Sequence, residues 1–231
     1  MIVRENELLL LQPSKRGYGL EKGEICNSVF SDNNFTIFLK FKVDKINGYN
    51  DEPIFIFTKV PNWFLVSINK VEQDYHLYIH YIVNEVDIIQ SFYFDFKFNK
   101  YYNLLITYSN ENKKLNLKID GNDFEIDFTV NKMSEIKADD PYIFIGSADH
   151  YYVKKYNMHF DFLLMAKKIL SMGDVIDITN EYPVNKDEYN LYLNKDKYNL
   201  LGLWNFKEKT TFNVFDFTGN NNHLKLEINE Q

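Results

Sequence analysis

The chain has 231 residues and a formal net charge of −7, which disfavours sequence-independent binding to phosphate backbones because such binding needs a cationic surface. Its 20 Phe and 17 Tyr favour an all-β protein, since aromatic side chains fit a pleated, half-buried surface. The single cysteine, Cys26, excludes an intramolecular disulfide and a multi-cysteine metal site.

Alternating apolar residues predict strands through the first half of the chain. The region from Leu8 to Ile25 is interpreted as a short apolar segment followed by a loop rich in glycine. The clearest alternation is in Ser91–Phe98, where every second residue is Phe. The predicted strands are Phe35–Val43, Ile54–Thr58, Trp63–Ile68, His76–Val83 and Ser91–Phe98.

The run Tyr101–Thr129 predicts three successive strands, each with one apolar face and one face in contact with water or a ligand. Asp120-Gly121 suits a tight hairpin turn between the second and third strands, because glycine accepts a positive φ without steric cost. We expect the polar face of this meander to act mainly as scaffold, with recognition in the loops at its edge.

The second half of the chain continues the strand pattern and adds one short helix near 171–178. Ser171 and Asp174 have the spacing of a capping box at the start of this helix. Residues 184–200 fit either a loop or a marginal helix. The remaining predicted strands are Tyr142–Gly146, Asn157–Met165, Leu201–Phe206 and a final strand that ends at Ile228. The pattern predicts a two-sheet antiparallel β-sandwich in a single domain, 1–231.

The order of four segments resembles the laminin-G-like and concanavalin-A-like lectin–glucanase superfamily, which implies a jelly-roll sandwich. These segments are Phe35–Val43, Tyr101–Asn122, Tyr142–Asp149 and Phe160–Ile176. Leu203–Leu226 is similar to a segment that usually begins such domains. We expect 201–228 to complete the sandwich from the C-terminus; the alternative is the start of a second, truncated unit.

The sequence disfavours catalysis, because the catalytic motifs that were considered are incomplete or absent. Some superfamily members are glucanases with an E-x-D-x-x-E signature, and a retaining carboxylate pair must lie about 5 Å apart. Here Glu125 and Asp127 match, but Val130 stands where the second Glu is required. No G-x-S-x-G elbow and no paired-histidine zinc motif is present. We therefore predict that the chain is not an enzyme, and a glycoside hydrolase is the least favoured alternative.

Calcium is the one metal that the resemblance leaves open, because many lectin-like members hold Ca²⁺ with loop oxygens and a hard cation prefers such ligands. The alternative is that these Asp and Asn residues only form turns. The candidate ligands are Asp216, Asn220 and Asn222 in one loop, and Asp139, Asp140 and Asp149 in another.

A sugar site needs an aromatic platform beside amide or carboxylate groups. The polar and aromatic run 149–152 is the first candidate, and two aromatic residues near turns are the second. The alternative for each aromatic is core or rim packing. The predicted ligand-binding residues are Asp149, His150, Tyr151 and Tyr152, followed by Trp63 and Tyr49.

These features favour a non-catalytic recognition module of a surface or virion assembly that binds a glycan or a protein partner at the sandwich-edge loops. The alternative is a purely structural protein such as a phage tail or capsid component, and either could form a homo-oligomer. We expect an extracellular-surface or virion location. The Leu8–Leu11 run, which follows Glu5 and Glu7, is too short for a signal peptide. No apolar run approaches the roughly 20 residues that span a bilayer.

Overall fold

The computed structural model describes residues 2–4, 7–9, 15–20, 29, 34–45, 53–60, 64–83, 86–127, 142–146, 157–180, 195–206, 213–214, 216–218, 220, 222 and 224–228. Two antiparallel sheets, each eight-stranded, account for most of these residues. None of the helices in this part of the chain is long and apolar enough to cross a membrane.

The strands and helices follow one another closely along the chain. In order they are β1 (Ile2–Arg4), β2 (Glu7–Leu9), β3 (Lys15–Leu20), β4 (Phe35–Asp44), β5 (Ile54–Val60), β6 (Phe64–Val71), β7 (Asp74–Val83), β8 (Val86–Tyr93), β9 (Tyr101–Ser109), β10 (Lys114–Ile119), β11 (Asn122–Asp127), β12 (Tyr142–Ile145), β13 (Asn157–Ala166), α1 (Met172–Asn180), α2 (Lys195–Tyr198), β14 (Leu200–Asn205), β15 (Asn213–Val214) and β16 (Leu224–Ile228).

The strands divide into two sheets whose order differs from the chain order. Sheet 1 runs β1-β2-β13-β4-β9-β10-β11, and β14 pairs with β13 outside that path. Sheet 2 runs β15-β16-β3-β12-β5-β6-β7-β8. Every pairing is antiparallel, so the predicted all-β, two-sheet antiparallel sandwich is confirmed.

The inner faces of the two sheets share one hydrophobic core. Leu115, Leu117 and Ile119 of β10 are fully buried in it, as the alternation in the meander predicts. Near one side of the sandwich, the rings of Phe92 in sheet 2 and Phe124 in sheet 1 stack at 4.7 Å. Burial of these inward side chains, at about 1.5–3 kcal/mol each, holds the sheets together.

A second, smaller core covers part of the outer face of sheet 1. Val175 and Ile178 of α1 are buried there against Leu105 and Leu164, which point outward from β9 and β13. Thr36 of β4 fixes the approach to α1, because its hydroxyl donates to the carbonyl of Lys168 (2.6 Å) and accepts from the amide of Leu170 (2.9 Å). The helix therefore leaves the outer face of β10 and β11 uncovered.

The predicted strand Ser91–Phe98 is wrong in its second half. β8 ends at Tyr93, and residues 94–97 cross from sheet 2 to sheet 1 outside any strand, with the Phe94 amide still bonded to the Tyr75 carbonyl of β7 at 3.3 Å. Phe94 and Phe96 are nevertheless buried, and the amide of Phe96 donates to the carbonyl of Phe94 at 2.8 Å. The Phe alternation thus reflects burial at the end of the sandwich, where no ladder forms. β8 instead begins at Val86, in a stretch that the sequence did not assign to a strand.

The glycine-rich segment near the N-terminus is not a loop as predicted. Lys15–Leu20 forms β3, which lies between β16 and β12 in sheet 2. Gly17 and Gly19 lower the strand propensity of the segment, but pairing on both edges outweighs this local cost. The C-terminal segment contributes to both sheets, through β14 beside β13 and β16 beside β3.

The predicted capping box at the start of α1 is confirmed. The Ser171 hydroxyl accepts from the amide of Asp174 (3.1 Å), and a carboxylate oxygen of Asp174 accepts from the Ser171 amide (2.8 Å) and hydroxyl (2.7 Å). This reciprocal pattern satisfies amides that the first helical turn leaves unpaired.

Acidification is expected to weaken this cap. Hydrogen bonds from Ser171 lower the pKa of Asp174 below its ordinary value of 3.8. A carboxyl whose pKa is lowered by folding stabilises the native state above its unfolded-state pKa, and this contribution is lost as the pH falls through the folded-state pKa. Asp174→Asn should cost about 0.5–1 kcal/mol near neutral pH. In urea denaturation, the difference in free energy of unfolding between the variant and the wild type should narrow as the pH falls below 3.8. A difference that stays constant would contradict this role.

Candidate functional site

The ligand-binding residues predicted first lie outside the described part of the chain. They are Asp149, His150, Tyr151, Tyr152, Trp63 and Tyr49, and the calcium candidates Asp139 and Asp140 share this status. Their assignment stays a prediction.

The other calcium candidates lie in the loop between β15 and β16. Asp216 is 1% exposed, and its carboxylate accepts hydrogen bonds from the amides of Leu203 (3.1 Å), Thr218 (2.9 Å) and Asn222 (3.1 Å). The Thr218 hydroxyl contacts both carboxylate oxygens, at 2.8 and 2.9 Å. Both carboxylate oxygens of Asp216, which would have to bind a cation, therefore already accept hydrogen bonds from the protein.

The two asparagines of this loop also contact the protein itself. The side-chain amides of Asn220 and Asn222 donate to the carbonyl of Leu201 at 3.0 and 2.9 Å. These bonds join the loop to β14. Among the described residues, no group of three or more His, Cys, Asp or Glu side chains is placed to hold a metal ion. The hydrogen bonds give Asp216, Asn220 and Asn222 a structural role in closing the sandwich.

A groove of about 490 Å³ lies on the outer face of the meander, where β9–β11 meet the start of α1. Leu170 and Met172 line one wall, and Thr107 and Asn116 belong to the strand face. Glu125, the first residue of the incomplete glucanase signature, lies at this groove and pairs with Lys114 at 2.5 Å. Their hydrogen bond raises the pKa of the Lys114 ammonium.

The acidic residues at this groove have the arrangement of a solvated strand face. Glu125 and Asp123 are 53% and 67% exposed, and Asp123 pairs with Lys118 at 3.1 Å. A carboxyl group that acts as a general acid is usually buried or lies beside another acidic group. Each of these carboxylates instead has a lysine partner and ready access to water.

A polar and aromatic surface lies on the opposite side of the sandwich, on the outer face of sheet 2. His76, Tyr78 and His80 point outward from β7, because they alternate with Leu77, Ile79 and Tyr81, which are buried. On β8 they pair with Tyr93, Ser91 and Ile89 in register. We call these six residues the His76–Tyr93 face: His76, Tyr78, His80, Ile89, Ser91 and Tyr93.

Short contacts between β7 and β8 order this face. His76 Nδ1 and Ser91 Oγ lie 2.9 Å apart, and His80 Nε2 lies 3.2 Å from Asp87 Oδ1. The His76 ring meets the Tyr93 ring edge to face at 5.9 Å, and Tyr78 is a further ring neighbour at 6.5 Å. Tyr93 remains 59% exposed. The face thus presents aromatic surface and hydrogen-bonding groups that are already oriented.

β6 extends the same face with two small polar residues, buried Ser67 and half-buried Asn69. Ser67 and Asn69 lie beside Tyr78 and His76 in register, and the Ser67 hydroxyl donates to Asn69 Oδ1 at 2.9 Å. At the outward positions of β6, β7 and β8 there is no Lys or Arg, whereas Asp74 and Asp87 are acidic. This surface is suited to neutral, hydroxyl-rich ligands.

The predicted strand His76–Val83 contains both histidines, but the sequence did not indicate that they belong to a candidate site. The face depends on pairing with β8, whose first residues were not predicted as a strand. The alternation His-x-Tyr-x-His in residues 76–80 is the local signal that could have indicated an outward aromatic surface.

No protein-family model matches this sequence, and no significant match to a curated protein was found. Solved structures do resemble the fold. The CBM40, a carbohydrate-binding module, of the Ruminococcus gnavus IT-sialidase was solved bound to alpha2,3 sialyllactose. This module superposes on the present chain with a TM-score of 0.51 and 14% sequence identity. The match covers 74% of the present chain and 97% of the module. The structure of the same module bound to alpha2,6 sialyllactose gives the same TM-score and identity, and the match covers 74% of the present chain and 98% of the module.

The receptor-binding domain of botulinum neurotoxin mosaic serotype C/D is also similar, with a TM-score of 0.52 and 16% identity. The match covers 78% of this chain and 43% of that one, so this chain spans less than half of the neurotoxin domain. Identities this low establish the fold alone. The chain has the jelly-roll sandwich fold of the concanavalin-A-like proteins.

Proposed function

We propose that this chain is a non-catalytic glycan-recognition module of an extracellular or virion surface, and that it binds through the His76–Tyr93 face. The observation that carries the proposal is the ordered set of exposed Tyr93 and half-buried Tyr78 and His76 on the outer face of sheet 2. The carbohydrate-binding module with the same fold supports it by showing that such a sandwich can hold a sugar.

The chemistry of the face matches that of a sugar. A pyranose ring has one apolar C–H surface that packs on an aromatic ring, and hydroxyls that exchange hydrogen bonds around its edge. Tyr93 offers the exposed ring. The imidazole of His76 and the amide of Asn69 lie within the neighbouring strands and can bond to the hydroxyls. Because strands hold these groups, little conformational entropy is lost on binding.

Charge favours neutral over sialylated glycans at this face. A bound carboxylate is usually met by Arg or Lys. The outward positions of β6–β8 carry neither, and the chain has a net charge of −7. We therefore expect the ligand class to differ from the sialyllactose bound by the module of similar fold.

Truncating the aromatic side chains should weaken binding strongly. Tyr78→Ala and Tyr93→Ala are each expected to reduce affinity for a neutral oligosaccharide about tenfold, because a central tyrosine contributes on the order of 1–2 kcal/mol. Tyr101→Ala is the matched control, since Tyr101 lies on the outer face of sheet 1. Titration calorimetry measures the effect; equal loss of affinity in all three variants would exclude this face as the site.

A glycan array identifies the ligand used in that titration. It should contain neutral oligosaccharides and their sialylated counterparts, and the neutral members are expected to give the stronger signals. Absence of signal for every glycan would overturn the proposed function. Stronger binding of the sialylated members would overturn the neutral ligand class and would favour a site elsewhere on the molecule.

The alternative, a purely structural role such as that of a phage tail or capsid component, is favoured by one observation. Ile89 and Tyr93 leave apolar surface exposed on the outer face of β8, and Val86 is exposed on its other face, as expected of an assembly contact. A structural protein of this kind would self-associate or bind a protein partner without binding any glycan. The array therefore separates the two roles.

A further inference from the structure

The outer strand of sheet 2 is a sheet edge without the usual protection against pairing. Among the described residues, β8 has β7 on one side and no strand on the other. A free strand edge presents backbone amides and carbonyls that can pair with another strand. The other described sheet ends differ from β8 in ways that block such pairing.

Those other ends are short, charged or covered: β14 has six uncharged residues, but Asn220 and Asn222 of the following loop donate to its Leu200 and Leu201 carbonyls. β1 has three residues and β15 has two. β11 is longer, but it carries Asp123, Glu125 and Asp127, all exposed. Short length and repeated charge are the means by which proteins keep sheet edges from associating.

β8 has neither form of protection. It is a regular strand of eight residues, VDIIQSFY, with Asp87 as its single charge and no proline or lysine. Val86, Ile89 and Tyr93 are 58%, 57% and 59% exposed, and they are three of the five large hydrophobic residues that the described chain exposes. Exposed apolar side chains on an open strand are typical of an interface.

We propose that β8 pairs antiparallel with β8 of a second copy of this chain, about a two-fold axis at Ile89, so that sheet 2 continues across a dimer. Two-fold pairing needs a surface that complements itself. Same-face residues must lie opposite each other in an antiparallel pair. With Ile89 opposite Ile89 of the second copy, this condition is met for residues 86–92, and Tyr93 lies just beyond the paired residues.

The side chains that meet in this register are compatible. Val86 lies opposite Phe92 of the second copy, and Ile88 lies opposite Gln90. Asp87 lies opposite Ser91, whose hydroxyl can donate to a carboxylate. The two Asp87 side chains are four positions apart along the ladder, about 13 Å, where repulsion between exposed charges is screened at physiological ionic strength.

Such a dimer would place two copies of the His76–Tyr93 face side by side on one continuous sheet, because Tyr93 and Ile89 point to the same side. If that face binds glycan, the dimer can bind two glycans of one target surface at the same time. It then gains avidity without any new kind of contact. This consequence rests on the proposed function, whereas the pairing of β8 does not.

Light scattering coupled to size-exclusion chromatography tests the pairing without any glycan. The full chain should elute as a dimer that dissociates on dilution, and Ile89→Lys should be a monomer at the same concentrations. Ile176→Lys is the control, because Ile176 is 49% exposed on α1 and should leave the dimer intact. Circular dichroism confirms that each variant is folded. A wild-type monomer across the concentration series, or loss of the dimer in both variants, would overturn the pairing.

Cysteine crosslinking tests the position of the axis. In a Cys26→Ser background, Ile89→Cys should form a disulfide dimer on mild oxidation, because directly opposed residues have Cα atoms about 4.5–5.5 Å apart, within the range a disulfide spans. Ile176→Cys should remain monomeric. Crosslinking of the two variants at equal rates would indicate random collision and overturn the proposed interface. Failure of glycan binding with an intact dimer would count against the proposed function alone.

Discussion

Gly202→Ala is expected to lower the free energy of unfolding by about 3 kcal/mol or more, at the upper end of what overpacking a core costs. Gly202 is buried in β14, and Trp204 lies two residues further on the same face of the strand. A Cβ atom at position 202 would overlap three carbons of the Trp204 ring.

The Trp204 ring has no room to move away from such a Cβ. It is fully buried in the main core, and its Nε1 donates to the carbonyl of Asn222 at 2.7 Å. Any displacement breaks that bond and disturbs the contact between β14 and the last loop. Gly202 is required here because the indole ring covers the backbone.

Gly173→Ala is the matched control for this substitution. Gly173 lies in the first turn of α1, and an added Cβ would meet only the Ser171 hydroxyl oxygen, at 3.5 Å. Alanine is the better helix former, so this variant should gain about 0.5–1 kcal/mol. Urea denaturation measures both changes. Wild-type stability in Gly202→Ala would contradict the close approach of Trp204.

Asp216→Ala should be similarly destabilising, by about 3 kcal/mol or more. Removal of the carboxylate would leave the amides of Leu203, Thr218 and Asn222 without their acceptor in a buried place. Hydrogen bonds to a charged group contribute about 1.5–3 kcal/mol each, and a buried donor without a partner costs about 1–3 kcal/mol. The lower stability should appear as a lower denaturation midpoint. We expect β14 and the 216–222 loop to lose their contact with each other.

Asp123→Ala is the control, since Asp123 is 67% exposed and forms a surface ion pair with Lys118. That change should stay within about 0.5 kcal/mol. Calcium gives a second comparison, because this loop was a predicted calcium site. Adding calcium should leave the wild-type Tm unchanged if Asp216 is structural. A calcium-dependent rise in Tm that Asp216→Ala abolishes would show that the loop binds the ion.

Features that depend on neighbouring residues could be predicted from the sequence. The hairpin at Asp120-Gly121 has positive φ at both residues, 45° and 86°, as the Asp-Gly step indicates. The Ser171–Asp174 cap forms because both partners lie within one helical turn. The apolar faces of β9 and β10 follow from their alternation. In each case the physical cause lies within a few residues.

Features that depend on distant partners could not be predicted. β3 is a strand because β12 and β16 pair with it, although Gly17 and Gly19 suggest a loop. Phe94 and Phe96 alternate like a strand but cross between sheets. The His76–Tyr93 face exists only because β7 and β8 pair in one register. A shift of this register by one residue would turn each outward side chain of the shifted strand inward.

The imidazole resonances of His76 and His80 report glycan binding at this face most directly. NMR spectra of the side-chain imidazoles can be recorded during titration with the neutral oligosaccharide that gives the strongest array signal. His159 serves as an internal control, because it is 1% exposed in sheet 1 and bonded to Asp44 at 2.5 Å. We expect His76 and His80 to shift with the affinity measured by calorimetry while His159 stays fixed. Saturated binding with unshifted His76 and His80 resonances would place the glycan elsewhere and contradict recognition by the outer face of sheet 2.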